Sequence, residues 1–316
     1  MTHRLNLFLL ILAALVGLPF YWLLLANPPR DVAPHPVSMA QLRQLAASRP
    51  GPRPTGVEML YIGWKRVPGN LYAAGSGMKR RQFGVLAFRL PVPGSGGVVI
   101  DGGTTPWLGA AMELEAVMLP RQAEVERWLG NAAIILATSE RPQHLGGIAL
   151  FAGRRDAAAA LSHARLNRWQ VPGETIDDHI PWPASLVLRP AIPGTRPVAV
   201  APGVVVIPTS SPMPGSQMIY ARLADGREYI FAGDVASFAA NLTDLRVRSN
   251  LLDRGAARPQ RAEIMRWLVT LRSLKRQAPG LIVVPGHDID WVTDPSQHSG
   301  VLPVVSQEEL QKPAGI

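Results

Sequence analysis

The 316-residue sequence contains no cysteine. Thiolate nucleophiles, Cys-ligated zinc and disulfides are therefore excluded, and the compartment stays open, because a chain without thiols suits either redox environment. Asp177, Asp178 and His179 form a cluster of a kind that can bind a metal, but it lies in the loop-rich stretch Gly173 to Pro193 and reads as a solvated turn. The other residues able to do chemistry stand at the ends of apolar runs. Asp101 ends the run in GGVVIDGGTT (96–105), and ATSERPQHLGG (137–147) follows the run Ala132 to Leu136. Gly233 and Asp234 follow a strand-like segment, and PGHD (285–288) follows Leu281 to Val284. Asp and Gly after a strand are common for local backbone reasons, so none of these endings defines a function by itself.

The elements that would position these residues can be read from periodicity. Val57 to Ile62 and Phe83 to Leu90 read as strands separated by Gly-rich turns, and the folded body is expected to begin near Val57. Gln122 to Leu129 reads as a helix and Ala132 to Leu136 as a buried strand; Asp156 to Trp169 has helical composition. The segment 198–237 alternates strands and turns, with a hairpin signal at Ala224-Asp225-Gly226. A helix from Pro259 to Gln277 places Ile264, Trp267, Leu268, Leu271 and Leu274 on one face, and the strand Leu281 to Val284 follows it.

Ahead of this body, Leu7 to Ala26 is a run of twenty uncharged residues, long enough to cross a bilayer as a helix. A cleaved signal peptide is the rival reading, but its apolar region would be shorter and would end in small residues, whereas the flank here is LLLANPPR. The expected organisation is a membrane anchor over residues 1–30, a Pro-rich tether over 31–56 with a short helix at Met39 to Ala47, and one domain over 57–316. Arg30 and Arg43 after the span slightly favour a cytoplasmic body. A very short tail ahead of a single span is instead the usual arrangement of a signal anchor, and on that ground the body is placed on the exported side. Apolar residues make up 47% and charged residues 17%, which indicates a globular chain. The net charge of +9 is spread along the sequence without a basic, aromatic-rich run, so it indicates a solvated surface and no nucleic acid is expected as a partner.

Taken in order, the endings resemble the metallo-β-lactamase superfamily, over roughly residues 57–295. In that family a buried strand ends in Thr-His-x-His-x-Asp-His-x-Gly-Gly; here Thr138, His144, Gly146 and Gly147 keep their places, while Ser139, Arg141 and Gln143 stand for the first His, the second His and the Asp. Asp101 matches an early Asp-x-Gly turn that supports the metal loop from behind. Pro214, Gly215, Ser216 and Gln217 match a later loop in which Pro212 takes the place of the third His. Gly233-Asp234 matches the Gly-Asp of the bridging carboxylate, and His287 in PGHD matches the last His. The resemblance is strongest to the lactonase-like and glyoxalase-like branches, which hydrolyse lactones or thioesters. It implies an α/β fold, the αββα sandwich, with its site at one edge on loops from both halves.

Carried over residue by residue, the resemblance implies that the metal position built from Ser139, Arg141 and Pro212 is lost. It leaves a second position with His144, Asp234 and His287 as metal ligands and the amide of Gln143 nearby, a set suited to one Zn or Fe with open coordination positions. Arg141 is the candidate substrate-binding residue, for a substrate carboxylate or an oxyanion. It could also pair with Asp234 in place of a metal, or be neutralised by Glu140. Two readings stay open: a single-metal hydrolase of an ester, lactone or related carbonyl, and a metal-free, catalytically inactive binding module for a ligand or partner.

Overall fold

The computed structural model describes residues 3–174, 180–253 and 261–304; the Asp177 to His179 cluster lies outside them. Eleven strands form two sheets among these residues. The first contains β1 (Val57–Pro68), β2 (Arg80–Val92), β3 (Ser95–Ile100), β4 (Ala116–Val117), β5 (Ile134–Leu136) and β11 (Val301–Pro303), in the order β11-β1-β2-β3-β5 with β4 paired to β1. The second contains β6 (Val198–Ala201), β7 (Val204–Pro208), β8 (Gln217–Arg222), β9 (Glu228–Phe231) and β10 (Ile282–Val284), in the order β10-β9-β8-β7-β6. Both sheets are mixed. β3 runs parallel to β5, β9 to β10 and β1 to β11, while the hairpins are antiparallel.

The two sheets pack face to face because their strands alternate apolar side chains toward one another. Met59, Phe88, Leu90, Val98 and Ile100 from the first meet Val204, Val206, Ile219 and Phe231 from the second in one buried cluster. Helices cover both outer faces. On the first sheet lie α5 (Leu119–Asn131), α6 (Pro142–Ala152) and α7 (Ala157–Leu161), with Val125, Trp128, Leu145 and Ile148 buried against Leu60, Val85 and Val99; the short α4 (Pro106–Ala111) adjoins them. On the second lies α10 (Arg261–Gln277), which buries Ile264, Trp267, Leu268, Leu271 and Leu274, the face that its spacing predicts. Short helices α3 (Gly69–Tyr72), α8 (Ala239–Thr243), α9 (Asn250–Asp253) and α11 (Ile289–Thr293) fill the rims. The arrangement is the αββα sandwich.

Two segments differ from the sequence expectation. The helix α2 (Met39–Ala47) forms where expected, capped by Ser38, which accepts a hydrogen bond from the Gln41 amide. It is no part of a loose tether, however. Met39, Leu42 and Ala46 are buried against Val205, Ile207, Met218 and Tyr220 of the second sheet, and Arg43 forms a two-pronged pair with Glu228 on β9 at 2.8 and 2.6 Å. The Pro-rich flanks conceal this packing in the sequence. Between Asp156 and Trp169 only Ala157–Leu161 is α-helical; the following residues turn back, and the Arg165 amide donates to the Ile135 carbonyl at the edge of the first sheet.

At the N-terminus, His3–Leu25 is a 23-residue apolar helix, α1 (His3–Phe20) continuing into a π-helical turn at Tyr21–Leu25. It buries nothing within the protein and is long and apolar enough to cross a membrane.

Candidate metal centre

The site is built where strands of both sheets end at one rim. Asp101 follows β3 with φ of 64°, a left-handed conformation that Asp tolerates better than most residues. This turn aims its carboxylate at the end of β5. Oδ1 accepts from the Thr138 amide at 2.7 Å, and Oδ2 accepts from the Thr138 hydroxyl at 2.8 Å and lies 2.9 Å from His144 Nδ1. His144 sits in the first turn of α6, so the stretch read as a ligand loop is in fact a helix start after Arg141. That start can approach the Asp101 turn only because position 147 is glycine; a Cβ there would lie 1.7 Å from the Gly102 carbonyl oxygen.

The second half supplies Asp234, after β9, and His287, after β10. Gly286 packs on Gly233 so closely that a Cβ would sit 2.4 Å from the Gly233 carbonyl oxygen, which brings the two ligand-bearing turns together. His287 Nδ1 is 2.8 Å from the Gly84 carbonyl of β2 and its Nε2 is 3.0 Å from Asp234 Oδ1. Phe83 stacks on its ring at 4.2 Å. One ligand atom each of His144, Asp234 and His287 lie within 4.8 Å of one another, and all three residues are buried.

The hydrogen bonds specify what this cluster lacks. A carbonyl only accepts, so His287 must carry its proton on Nδ1, which leaves the Nε2 lone pair facing a carboxylate. For His144 the Asp101 carboxylate imposes the same tautomer, and Nε2 faces Asp234 Oδ2 at 3.6 Å. That nitrogen and that oxygen are buried without a hydrogen-bond partner. Three acceptors converging in a buried space require a cation: extra protons, a guanidinium or a metal ion. Two imidazoles and a carboxylate, oriented from behind by Asp101 and Gly84, fit a divalent metal such as Zn or Fe.

Electrostatics express the same demand. Burial pushes the His144 pKa down, but the Asp101 and Asp234 carboxylates outweigh it and lift it to about 10. Burial would raise Asp234, yet Arg141 and His144 hold it well below the usual carboxylate range. His287 is pushed down, mainly by burial.

Arg141 Nε lies 3.7 Å from Asp234 Oδ2, an ion pair beyond hydrogen-bond length, and its side chain is 24% exposed, so it borders both the cluster and solvent. Glu140 lies near enough for the Arg141 charge to act on it, but its hydrogen bond is made elsewhere. Its carboxylate is fully buried and accepts from the Gly215 amide at 2.9 Å, which ties the turn to the loop before β8; burial holds it above the ordinary carboxylate range. Gln143 is buried in the same helical turn as His144. Ser139 and Pro212 offer no nitrogen ligand, and among the described residues His144, Asp234 and His287 are the one group of this type.

Two residues of the site carry no sequence signal. Arg248 is buried and faces Asp253 at 3.4 Å; burial, the nearby Arg141 and their balance against Asp234 and Asp253 bring its pKa down to about 10. Tyr72, raised to about 12 by burial and by the Asp234 charge, packs at 4.8 Å on Phe83, the ring that stacks on His287. Neither belongs to a motif, and their neighbours in sequence are unremarkable in pattern.

No family model matches the sequence, and no curated protein matches it. Solved structures do. A quorum-quenching N-acyl homoserine lactone lactonase is similar over 75% of this chain and 94% of its own, with 16% identity and a TM-score of 0.53. An N-acyl homoserine lactone hydrolase with the product N-hexanoyl-L-homoserine bound at its catalytic metal centre gives 15% identity and a TM-score of 0.53, covering 75% and 95% of the two chains. A probable metal-dependent hydrolase from Staphylococcus aureus gives 12% and 0.51, covering 75% and 91%. The chain has the metallo-β-lactamase fold, in the form shared with lactonases of this kind.

Proposed function

We propose that this protein is a membrane-anchored hydrolase of the metallo-β-lactamase fold that uses one metal ion, held by His144, Asp234 and His287, on an ester, lactone or related carbonyl substrate. The observation that carries this reading is the convergence of buried acceptors, with His144 Nε2 and Asp234 Oδ2 buried without a hydrogen-bond partner. A divalent cation there would supply Lewis acidity toward a carbonyl and acidify water at neutral pH. The chain's own residues do the rest. Asp101 and the Gly84 carbonyl fix the tautomers that present both Nε2 atoms. Arg141, bordering solvent, takes a substrate carboxylate or the oxyanion that develops during attack. Residues 1–30 act as the anchor of a single-pass protein whose body lies on the exported side, and the domain proper spans 57–316 with α2 packed onto it.

A second reading is favoured by one contact: Arg141 already sits within ion-pair reach of Asp234 and could supply the missing charge in a metal-free, inactive binding module. Elemental analysis of the purified full-length protein, beside His144→Ala and His287→Ala, separates the two. One Zn or Fe per chain, lost in both variants together with turnover of a short-chain ester or lactone, is the expected result. Wild-type protein that stays metal-free after equilibration with Zn establishes the second reading instead.

A further inference from the structure

The apolar helix is not joined to the body by slack chain. Within a few residues of its end it is gripped from both sides. The Asn250 amide side chain donates to the Trp22 carbonyl at 2.6 Å, and the Gly75 amide donates to the Leu24 carbonyl at 2.9 Å. Asn27 donates to the Ala74 carbonyl at 2.9 Å and accepts from the Val247 amide at 3.0 Å, while Arg261 donates to the Ala26 carbonyl. The gripping segments, 71–75 and 246–250, are strapped to each other. The Ala74 amide donates to the Val247 carbonyl, the Ser249 amide to the Leu71 carbonyl, and Asn241 bridges the carbonyls of Tyr72 and Arg246.

These same segments carry Tyr72 against Phe83, which stacks on His287 of the candidate site, and they carry the buried Arg248, paired with Asp253. Tyr72 is three residues from Gly75, so chain geometry allows at most about 11 Å between their Cα atoms, and the wall of the site lies close to the grip. The headgroup region on each side of a bilayer is about 5–8 Å deep, so a site so close to the end of a span lies at its surface. The protein surface beside the grip has matching chemistry. Trp22, Met78 and Leu251 are exposed at 53%, 56% and 41%, and Lys79 and Arg80 are exposed next to Met78. Apolar residues that enter the interface, accompanied by cations that meet anionic headgroups, are the features of a membrane-facing surface.

We infer that the anchor seats the Tyr72–Arg141 rim of the site against the bilayer, so that what reaches the site is an anionic amphiphile with an acyl chain, carried by the membrane. This substrate class rests on the proposed hydrolase reading; the seating of the rim does not. Arg141, which borders solvent, meets the anionic head, and the exposed apolar residues beside the grip keep the acyl portion in contact with lipid.

The absence of native cysteine makes a clean test possible. Met78→Cys, Leu251→Cys and, as a distant control, Val187→Cys are each labelled with an environment-sensitive fluorophore. The full-length variants are then reconstituted into phosphatidylcholine–phosphatidylglycerol vesicles containing brominated lipid. Quenching at positions 78 and 251 but not at 187 is expected; equal, weak quenching at all three overturns the seating. A second protein carries a Gly/Ser linker of about 20 residues after Ala26, with a mean span of roughly 25 Å. It should lose the quenching and fall about tenfold or more on a vesicle-borne long-chain ester while keeping turnover of a soluble short-chain ester. Unchanged vesicle turnover, or an equal fall on both esters, overturns the substrate class. Inactivity of the wild type on both esters refutes the hydrolase reading and the substrate class that rests on it, and leaves the seating to the quenching result.

Discussion

Asp101 touches no candidate substrate position, yet the direction in which His144 presents its lone pair depends on it. Replacing such an oriented carboxylate behind a metal-binding imidazole typically weakens metal affinity by about 10- to 100-fold. Asp101→Asn keeps an acceptor for the Thr138 amide but cannot hold the His144 Nδ1 proton with a charge, so Zn affinity measured against a chelating dye should fall within that range while the fold persists. Arg141 acts in the opposite sense. A guanidinium and a dication about 5 Å apart at an effective dielectric of 20 repel by about 7 kcal/mol, and the partial exposure of Arg141 and the Asp234 carboxylate between them reduce that figure several-fold. Arg141→Gln should therefore tighten Zn binding by about tenfold in the same titration. A decrease would mean that Arg141 orders the site more than it repels a cation.

At the scale of elements, α2 and β9 are held by the Arg43–Glu228 pair, with Tyr220 also donating to Glu228 Oε1 at 2.6 Å. Burial pushes the Glu228 pKa up, but Arg43 and Tyr220 bring it below the ordinary value. Its contribution to stability is therefore complete above the unfolded-state pKa, near 4.3, and is lost as the pH falls through the lower folded value. Glu228→Gln should lower unfolding free energy by about 1–2 kcal/mol at pH 7, allowing for the exposure of Arg43, and should cost less as pH falls toward 3 in denaturant titrations. Leu42→Ala, which opens a cavity under the same helix, should cost about 2–4 kcal/mol. A body trimmed to begin near Pro50 discards this helix and exposes the sheet that it covers, whereas one beginning near Asp31 keeps it.

The same elements show what was legible in the sequence. Strand endings at Asp101, Thr138, Asp234 and His287 were readable because each follows a buried apolar run and the order of the runs matches a known pattern. β1 is longer than its alternation suggested, since the register shifts between Tyr61 and Gly63 and interrupts the period of two. Tyr72 and Arg248 were not legible, because their place in the site arises from hydrogen bonds between two segments far apart in sequence. The packing of α2 was hidden by the prolines that flank it, and the helical start at Pro142 by a stretch whose resemblance suggested a loop.

For the whole molecule, the site acts as a fastener between halves: Asp101 and His144 come from the first, Asp234 and His287 from the second. Metal that binds only the assembled site stabilises the assembly by about 2.7 kcal/mol at a hundredfold excess over Kd. For a body of this size that corresponds to a rise in Tm of roughly 4–5 °C, seen by calorimetry with Zn and absent in His144→Ala. The first sheet has a further property of this kind. Its edge is completed by β11, whose Val301 lies in parallel register with Val57, about 240 residues earlier. A ribosome working at about 5–20 residues per second takes roughly 10–50 s to cover that distance. Throughout that interval the apolar N-terminal helix is already made, while β1 waits for its last neighbour. During synthesis, then, the chain is an apolar helix trailing an open sheet edge, and whatever shields that edge has to act until β11 arrives.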